Sequence, residues 1–288
     1  MPPMAPGALS AAGDRRGPLL VGIVNITEDS FSDGGRYLDA EAALRQALRL
    51  RAEGADIVEL GPAASNPDSA RVPAEQECAR LAPVLDRLAA EGIPCSVDSF
   101  LPETQGFALA RGVAFLNDIQ GFPHPEHYGE LAAARCGLVV MHSVQRLGPA
   151  TRVPTDPAEV WEGILEFFAE RLAALRDAGI DRDRLVVDPG LGYFLGSNPE
   201  TSFAVLGGVR SLKEEFGLPV MISASRKSFL RSVTGRAIAE SGPATLAAEI
   251  HAALDGADYI RTHDVGALHD ALTVLRAVTE QATVLSGR

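Results

Sequence analysis

The chain has 288 residues, 46% of them hydrophobic, and a formal net charge of -12 with a pI near 5.0. That length supports a sizeable core, and the acidic balance argues against nucleic acid or an anionic membrane as a partner. An anionic substrate would have to be met by a few locally placed cations. No apolar run approaches the length of a membrane span. Cys78, Cys95 and Cys136 are scattered and form no CxxC pair, which points to a reduced, cytoplasmic protein.

Residues 1–18 are rich in Pro, Ala and Gly, lack the apolar block of a signal peptide and read as a disordered tail. From Leu19 onward, short β-branched runs alternate with helical segments. Strands are predicted over 19–26, 56–61, 94–99, 115–119, 138–142, 184–188, 219–225 and 259–263. Helices are predicted between them over 39–53, 74–90, 102–111, 125–135, 157–178 and 199–216, then in broken form over 227–254, with a closing helix over 267–284. Gly or Pro punctuates nearly every helix end. Eight strand–helix units without a linker imply parallel strands joined by right-handed crossovers, an α/β chain of the (β/α)8 TIM-barrel type forming a single domain over 19–288. An open doubly wound sheet is the alternative, but GIVNIT after the first strand is not GxGxxG.

In such a barrel the active site lies where the strands end. Asn25 closes the first strand, Asp98 the third, Asn117 and Asp118 the fourth, Met141 and His142 the fifth, and Asp188 the sixth. Ser225, Arg226 and Lys227 close the seventh, and Arg261 and His263 the eighth; only the second, at GPAAS, ends without a strong group. Singly these have ordinary explanations: Asp98 as a helix N-cap, Asp118 as the stabiliser of its own turn before Gly121, Arg261 as a buried structural arginine. Their concentration points to a site. Asp98, Asn117 and Asp188 supply acceptors for a planar heterocycle with a donor-rich edge, such as an aminopyrimidinone. Asn25, Lys227, Arg261 and His263 supply donors and positive charge for a phosphate or pyrophosphate. The loop after Asn25 is polar, ends in Gly34-Gly35 and carries Phe31, the pattern of a lid. His124 and His127 resemble a metal pair, but they sit in a Pro-rich turn with no third ligand nearby in sequence.

The segments GIVNITEDSFSDGG, GADIVELG, SVDSF, LNDIQGF, VVMHS, LVVDPGLG, SASRKSF and ADYIRTHD, in that order, resemble the motifs of the dihydropteroate synthase family. The resemblance covers about residues 19 to 275. It implies a pterin-binding barrel, usually a homodimer, that condenses 6-hydroxymethyl-7,8-dihydropterin pyrophosphate with p-aminobenzoate, assisted by Mg2+. Carried over by motif, Asp98, Asn117, Asp188 and Lys227 would hold the pterin, with Met141 packed near its ring. Asn25, Arg261 and His263 would hold the pyrophosphate, with Mg2+ near Asn25. Phe31, Ser65, Pro67, Phe194, Arg226, Lys227 and Ser228 would border p-aminobenzoate. Asp98, Lys227, Arg261 and His263 are the expected catalytic groups: pyrophosphate leaves first or nearly so, and the aniline nitrogen attacks a cationic pterin methylene.

Two departures mark a branch. Where drug-sensitive members usually read GGESTRPG, this chain has GPAASNPD, with Ser65-Asn66 in place of Thr-Arg, and the stretch after DPGLG is about two residues longer. Both resemble the sulfonamide-insensitive synthases. A drug-sensitive synthase and a pterin-binding methyltransferase acting with a corrinoid partner are the alternatives; SRKS and RTHD, which suit an anion, weigh against the methyltransferase.

Overall fold

The computed structural model describes residues 17–26, 35–64, 67–68 and 70–286. The expected lid over 27–34 with Phe31, Ser65 of the second loop, and residues 1–16 of the expected tail lie outside the described residues.

Eight parallel strands form one sheet: β1 Leu19–Asn25, β2 Ile57–Gly61, β3 Cys95–Asp98, β4 Phe115–Asp118, β5 Gly137–Met141, β6 Leu185–Asp188, β7 Met221–Ile222 and β8 Tyr259–Thr262. Their order is β6-β5-β4-β3-β2-β1-β8-β7, and a parallel bridge between Val187 and Val220 brings the two edges together. Around this barrel run α1 Gly35–Ala52, α2 Ala74–Ala90, α3 Pro102–Leu109, α4 Tyr128–Ala133, α5 Pro157–Asp177, α6 Pro199–Leu206, α7 Val209–Phe216, α8 Ser228–Thr234, α9 Gly242–Leu254 and α10 Val265–Ser286.

Successive strand residues point to opposite faces of the sheet. Val58, Leu60, Val97, Leu116, Leu138, Val140, Leu185, Val187, Ile222 and Ile260 join the large apolar cluster shared with the helices. The intervening Val21, Ile57, Phe115, Val139, Val186, Met221 and Tyr259 form a separate small cluster, the packed floor of the barrel. Two residues further along the same strands, that inward face turns polar.

Local signals explain the helix ends. The side chain of Asp156 accepts from the backbone N–H groups of Ala158 at 2.8 Å and Glu159 at 3.2 Å, with Pro157 in the first turn, so α5 starts where the sequence places it. The helix expected over 199–216 is instead two, α6 and α7. They part at Gly207-Gly208, where a Cβ on Gly208 would lie 2.6 Å from the Trp161 ring, so a close approach to α5 breaks the helix. The helix expected over 125–135 opens as a 3-10 turn, Pro125–His127, before α4.

Arg184, at the start of β6, is fully buried and donates to the carbonyls of Cys136 at 2.9 Å, Leu131 at 2.8 Å and Ala132 at 3.4 Å. It serves the carbonyls that the end of α4 leaves without helical partners. The three cysteines are free, Cys95 and Cys136 buried. No described helix is long and apolar enough to cross a membrane.

Candidate active site at the carboxyl ends of the strands

Above the apolar floor, Arg261 of β8 reaches across the barrel. Its Nε bonds Glu59 of β2, its Nη2 donates to Asp98 of β3 at 2.9 Å, and Nη1 lies 3.4 Å from Ser223 Oγ. Glu59 is completely buried. Its carboxylate also accepts from Ser96 Oγ at 2.8 Å and from Asn117 Nδ2 at 3.2 and 3.4 Å. Asn117 Oδ1 is buried and has no hydrogen-bond partner. Such an orphan acceptor costs stability unless something arrives to satisfy it.

Asp188, at the tip of β6, stands beside Met141 in register across the β5–β6 pair and accepts from Gly190 N at 2.8 Å. Gly190 has φ +73°, and a Cβ there would lie 2.5 Å from His142 O, so the DPG turn requires glycine. Burial pushes the Asp188 pKa up to about 6, against the pull of the Gly190 N–H, Lys227 and Arg261. Asp98 is raised by burial as well, while Arg261 draws it back. Lys227 is half-buried, and its pKa falls to about 8, through burial first and the Arg261 charge second. Its ammonium sits 4.7 Å above the centroid of the Phe194 ring. Phe194 packs with Ile119, Met141 and Ala150. The structure thus gathers Asp98, Asn117, Asp188, Arg261, Lys227, Met141 and Phe194 about one mouth.

His263, expected among the groups that meet the anion, stands among other cations. Burial and the charges of Arg226, Arg261 and Lys227 hold its pKa down at about 3. Ser225 Oγ accepts the backbone N–H of His263 at 3.2 Å and lies 2.9 Å from its Nδ1. In the tautomer whose Nδ1 accepts the Ser225 O–H, the neutral ring carries its single proton on Nε2 and can donate from there.

Asn25 ends β1 exposed, with its Oδ1 3.2 Å from where a Gly61 Cβ would stand. Among residues expected near p-aminobenzoate, Ser228 begins α8 next to Lys227, and its Oγ would lie 3.6 Å from a Cβ on Gly192. Arg226 is exposed, with φ +59°. Pro67 lies in a turn beside Asp68, which pairs with Arg152; that guanidinium stands 5.2 Å over the Tyr193 ring.

Strand alternation removes two of the strand-end groups. Asp118 turns away from the mouth to accept from Gln105 Nε2 and Gln120 N, serving its own turn. His142 points outward, with Nδ1 3.2 Å from Pro189 O and its ring edge-on to Phe167 of α5. Conversely, the second strand is not empty. Glu59 lies inside it, two residues before its end. The signal was there: a lone carboxylate in IVELG with the parity of the inward-facing Ile57.

Residues 21–263 match the family described as pterin binding enzyme. The chain is 56% identical over 266 residues to the "Dihydropteroate synthase type-2" of Escherichia coli, covering 92% of this chain and 98% of that one. It is 54% identical over 259 residues to the type-3 enzyme of the same organism, covering 90% and 98%. This chain belongs to the dihydropteroate synthase family. Among solved structures, the Xanthomonas albilineans dihydropteroate synthase with 4-aminobenzoic acid superposes with a TM-score of 0.84 at 38% identity, covering 92% of this chain and 94% of that one. The same enzyme in complex with 7,8-dihydropteroate gives a TM-score of 0.80. The chain is therefore a transferase of folate biosynthesis, and the methyltransferase alternative falls away.

The family resemblance also implies Mg2+. No group of three or more His, Cys, Asp or Glu among the described residues could hold a metal. The exposed Asn25 amide at the end of β1 would fit an ion that takes most of its ligands from water and substrate phosphates, as Mg2+ does.

Proposed function

We propose that the acceptor layer of Asp98, Asn117 and Asp188 binds the donor edge of 6-hydroxymethyl-7,8-dihydropterin pyrophosphate, and that the enzyme joins this substrate to p-aminobenzoate while discriminating against sulfonamides. The unpaired, buried Asn117 Oδ1, on a strand that lies between those of Asp98 and Asp188, carries this reading. A pterin N–H or NH2 group is the partner it lacks.

Arg261, neutral His263 and Asn25 receive the pyrophosphate. The C–O bond to the pterin methylene breaks, and the electron pair leaves with the phosphate, toward the Arg261 guanidinium and the His263 Nε2–H. Asp98, held between Arg261 and the pterin, stabilises the positive charge left on the ring and methylene. The aniline nitrogen of p-aminobenzoate then forms the C–N bond and loses its proton. Bound Mg2+, held by Asn25 and the phosphates, would supply neutralising charge for the leaving anion. Lys227 supports both halves, with its ammonium near Asp188 and over Phe194.

For p-aminobenzoate we place Phe194, Lys227, Ser228 and Arg226 at the acidic end, with Phe31, Ser65 and Pro67 contributed by the preceding loops. A planar carboxylate clears the Phe194 ring; a tetrahedral sulfonamide with its extra substituent meets it. Tyr193, under Arg152, keeps a packing role. We also infer a homodimer in a reducing cytoplasm. Exposed Val274 and Val278 on α10, with Val233 in α8 and Ile238 after it, offer apolar surface for a second copy.

The test is turnover of dihydropterin pyrophosphate with p-aminobenzoate, repeated with sulfamethoxazole. Formation of dihydropteroate and pyrophosphate, sustained in the presence of the drug, is expected. Pterin binding without product would leave only a binding protein, and inhibition at drug levels near those of the substrate would remove the discrimination.

A further inference from the structure

Glu59 touches no position that either substrate is expected to occupy, yet it is tied to the residues that do. Each of its partners donates to it: Ser96 Oγ, Asn117 Nδ2 and Arg261 Nε. A carboxylate facing a guanidinium offers acceptors alone, so the Asn117 amide can meet it with only one of its two ends. The NH2 end is turned down onto Glu59 and the oxygen is left free, which is the buried orphan acceptor. Without Glu59, nothing in the pocket decides which end of an amide faces the ligand, because both ends are nearly the same size.

We propose that Glu59 is a positioning residue that fixes the polarity of Asn117. It would thereby make Asn117 Oδ1 an acceptor like Asp98 and Asp188, so that the side chains on these three strands select for a ring edge made of donors. The inference deepens the pterin assignment and rests on it. The same carboxylate takes the Arg261 Nε, so that Nη2 serves Asp98 and Nη1, 3.4 Å from Ser223 Oγ, stays the more available for an anion. An ordinary structural ion pair would need only Arg261. The additional bonds to Asn117 and Ser96 are what that simpler role leaves unexplained.

The test is calorimetric binding of 6-hydroxymethylpterin and of the corresponding lumazine, whose second ring carbonyl puts an acceptor where the pterin has its NH2 donor. Wild type, Glu59→Gln, Glu59→Asp, Asn117→Ala and the Glu59→Gln/Asn117→Ala double variant are compared. Glu59→Gln, which can present an NH2 group to Asn117 and let it turn, should lose about ten-fold in pterin affinity and most of the preference for pterin over lumazine. Glu59→Asp, still acceptor-only, should keep the preference even where its affinity falls. In the Asn117→Ala background Glu59→Gln should have almost no further effect on pterin binding, because the two act as one unit. Equal losses for pterin and lumazine, or an undiminished Glu59→Gln effect without Asn117, would make Glu59 a structural partner of Arg261 and overturn the inference. Asp188→Asn run alongside separates the two claims. Unchanged pterin affinity there overturns the pocket itself, whereas a weakened Asp188→Asn with an unaltered preference in Glu59→Gln overturns only the role of Glu59.

Discussion

The inside of the barrel has two levels, built by the same strands two residues apart, and they do opposite things. The lower level, with Ile57, Phe115, Val186 and Tyr259, is apolar and closely packed. The upper level, with Glu59, Asn117, Asp188 and Arg261 on those same strands, is a buried network of charges and amides. The first lowers the free energy of the fold by removing apolar surface from water. The second sacrifices some of that gain, since desolvated carboxylates and an orphan amide oxygen are held ready for a ligand. Function here is a matter of height along a strand, not of which strand.

The comparison breaks most visibly if the levels are exchanged by mutation. Phe115→Ala opens a cavity in the floor and should cost about 3–5 kcal/mol of stability. Denaturant unfolding reads that loss, and the folded fraction should keep its affinity for the pterin. A large change in pterin affinity with little loss of stability would erase the distinction. Arg261→Ala works from the other side. It removes a cation facing the leaving group and should lower kcat/KM by about 100-fold or more. Binding of a pterin lacking the pyrophosphate should suffer far less. Equal losses would place Arg261 on the ring alone.

A smaller effect tests the rim. Phe194→Gly should lower Ki for sulfamethoxazole by an amount corresponding to about 1–3 kcal/mol, while KM for p-aminobenzoate changes little. A variant that is active and still insensitive would move the discrimination to the loop around Pro67 and Asp68. The smallest expected effect is a pH dependence. Asp188 has its pKa raised from 3.8 to about 6 in the folded state, the reverse of a salt-bridged carboxylate. The folded chain therefore holds a proton that the unfolded chain has lost, and this group's contribution to stability declines as pH rises through that window. The Tm of wild type relative to Asp188→Asn should fall from pH 4 to pH 6, the interval set by those two values. A difference independent of pH would mean that Asp188 titrates normally.

How much of this was legible in the sequence follows the same division. Asp98, Asn117, Asp188 and Arg261 stand at strand ends, where a polar residue after an apolar run is conspicuous, so the mouth could be read. The barrel could be read because each apolar run was punctuated by Gly or Pro. Glu59 was passed over because it sits inside a run and its partners are 37, 58 and 202 residues away. Asp118 read as the stabiliser of its own turn and serves it, accepting from Gln120 N, whereas His142 stood out as a strand-end group because adjacency in sequence hides the alternation of faces. Arg184 gave no sign of being buried, since its carbonyl partners lie on a different strand–helix unit. The break at Gly207-Gly208 depended on where the Trp161 ring would arrive. In each case the missing fact was a contact between units, which local pattern does not carry.

The claim that the upper level recognises the pterin is met most directly by calorimetric titration of dihydropterin pyrophosphate into wild type, Asp98→Asn and Asp188→Asn. Each variant replaces a buried charged acceptor with an amide of the same shape, and the loss should be about 1.5–3 kcal/mol, ten-fold or more in Kd. Unchanged affinity in both variants would contradict the account.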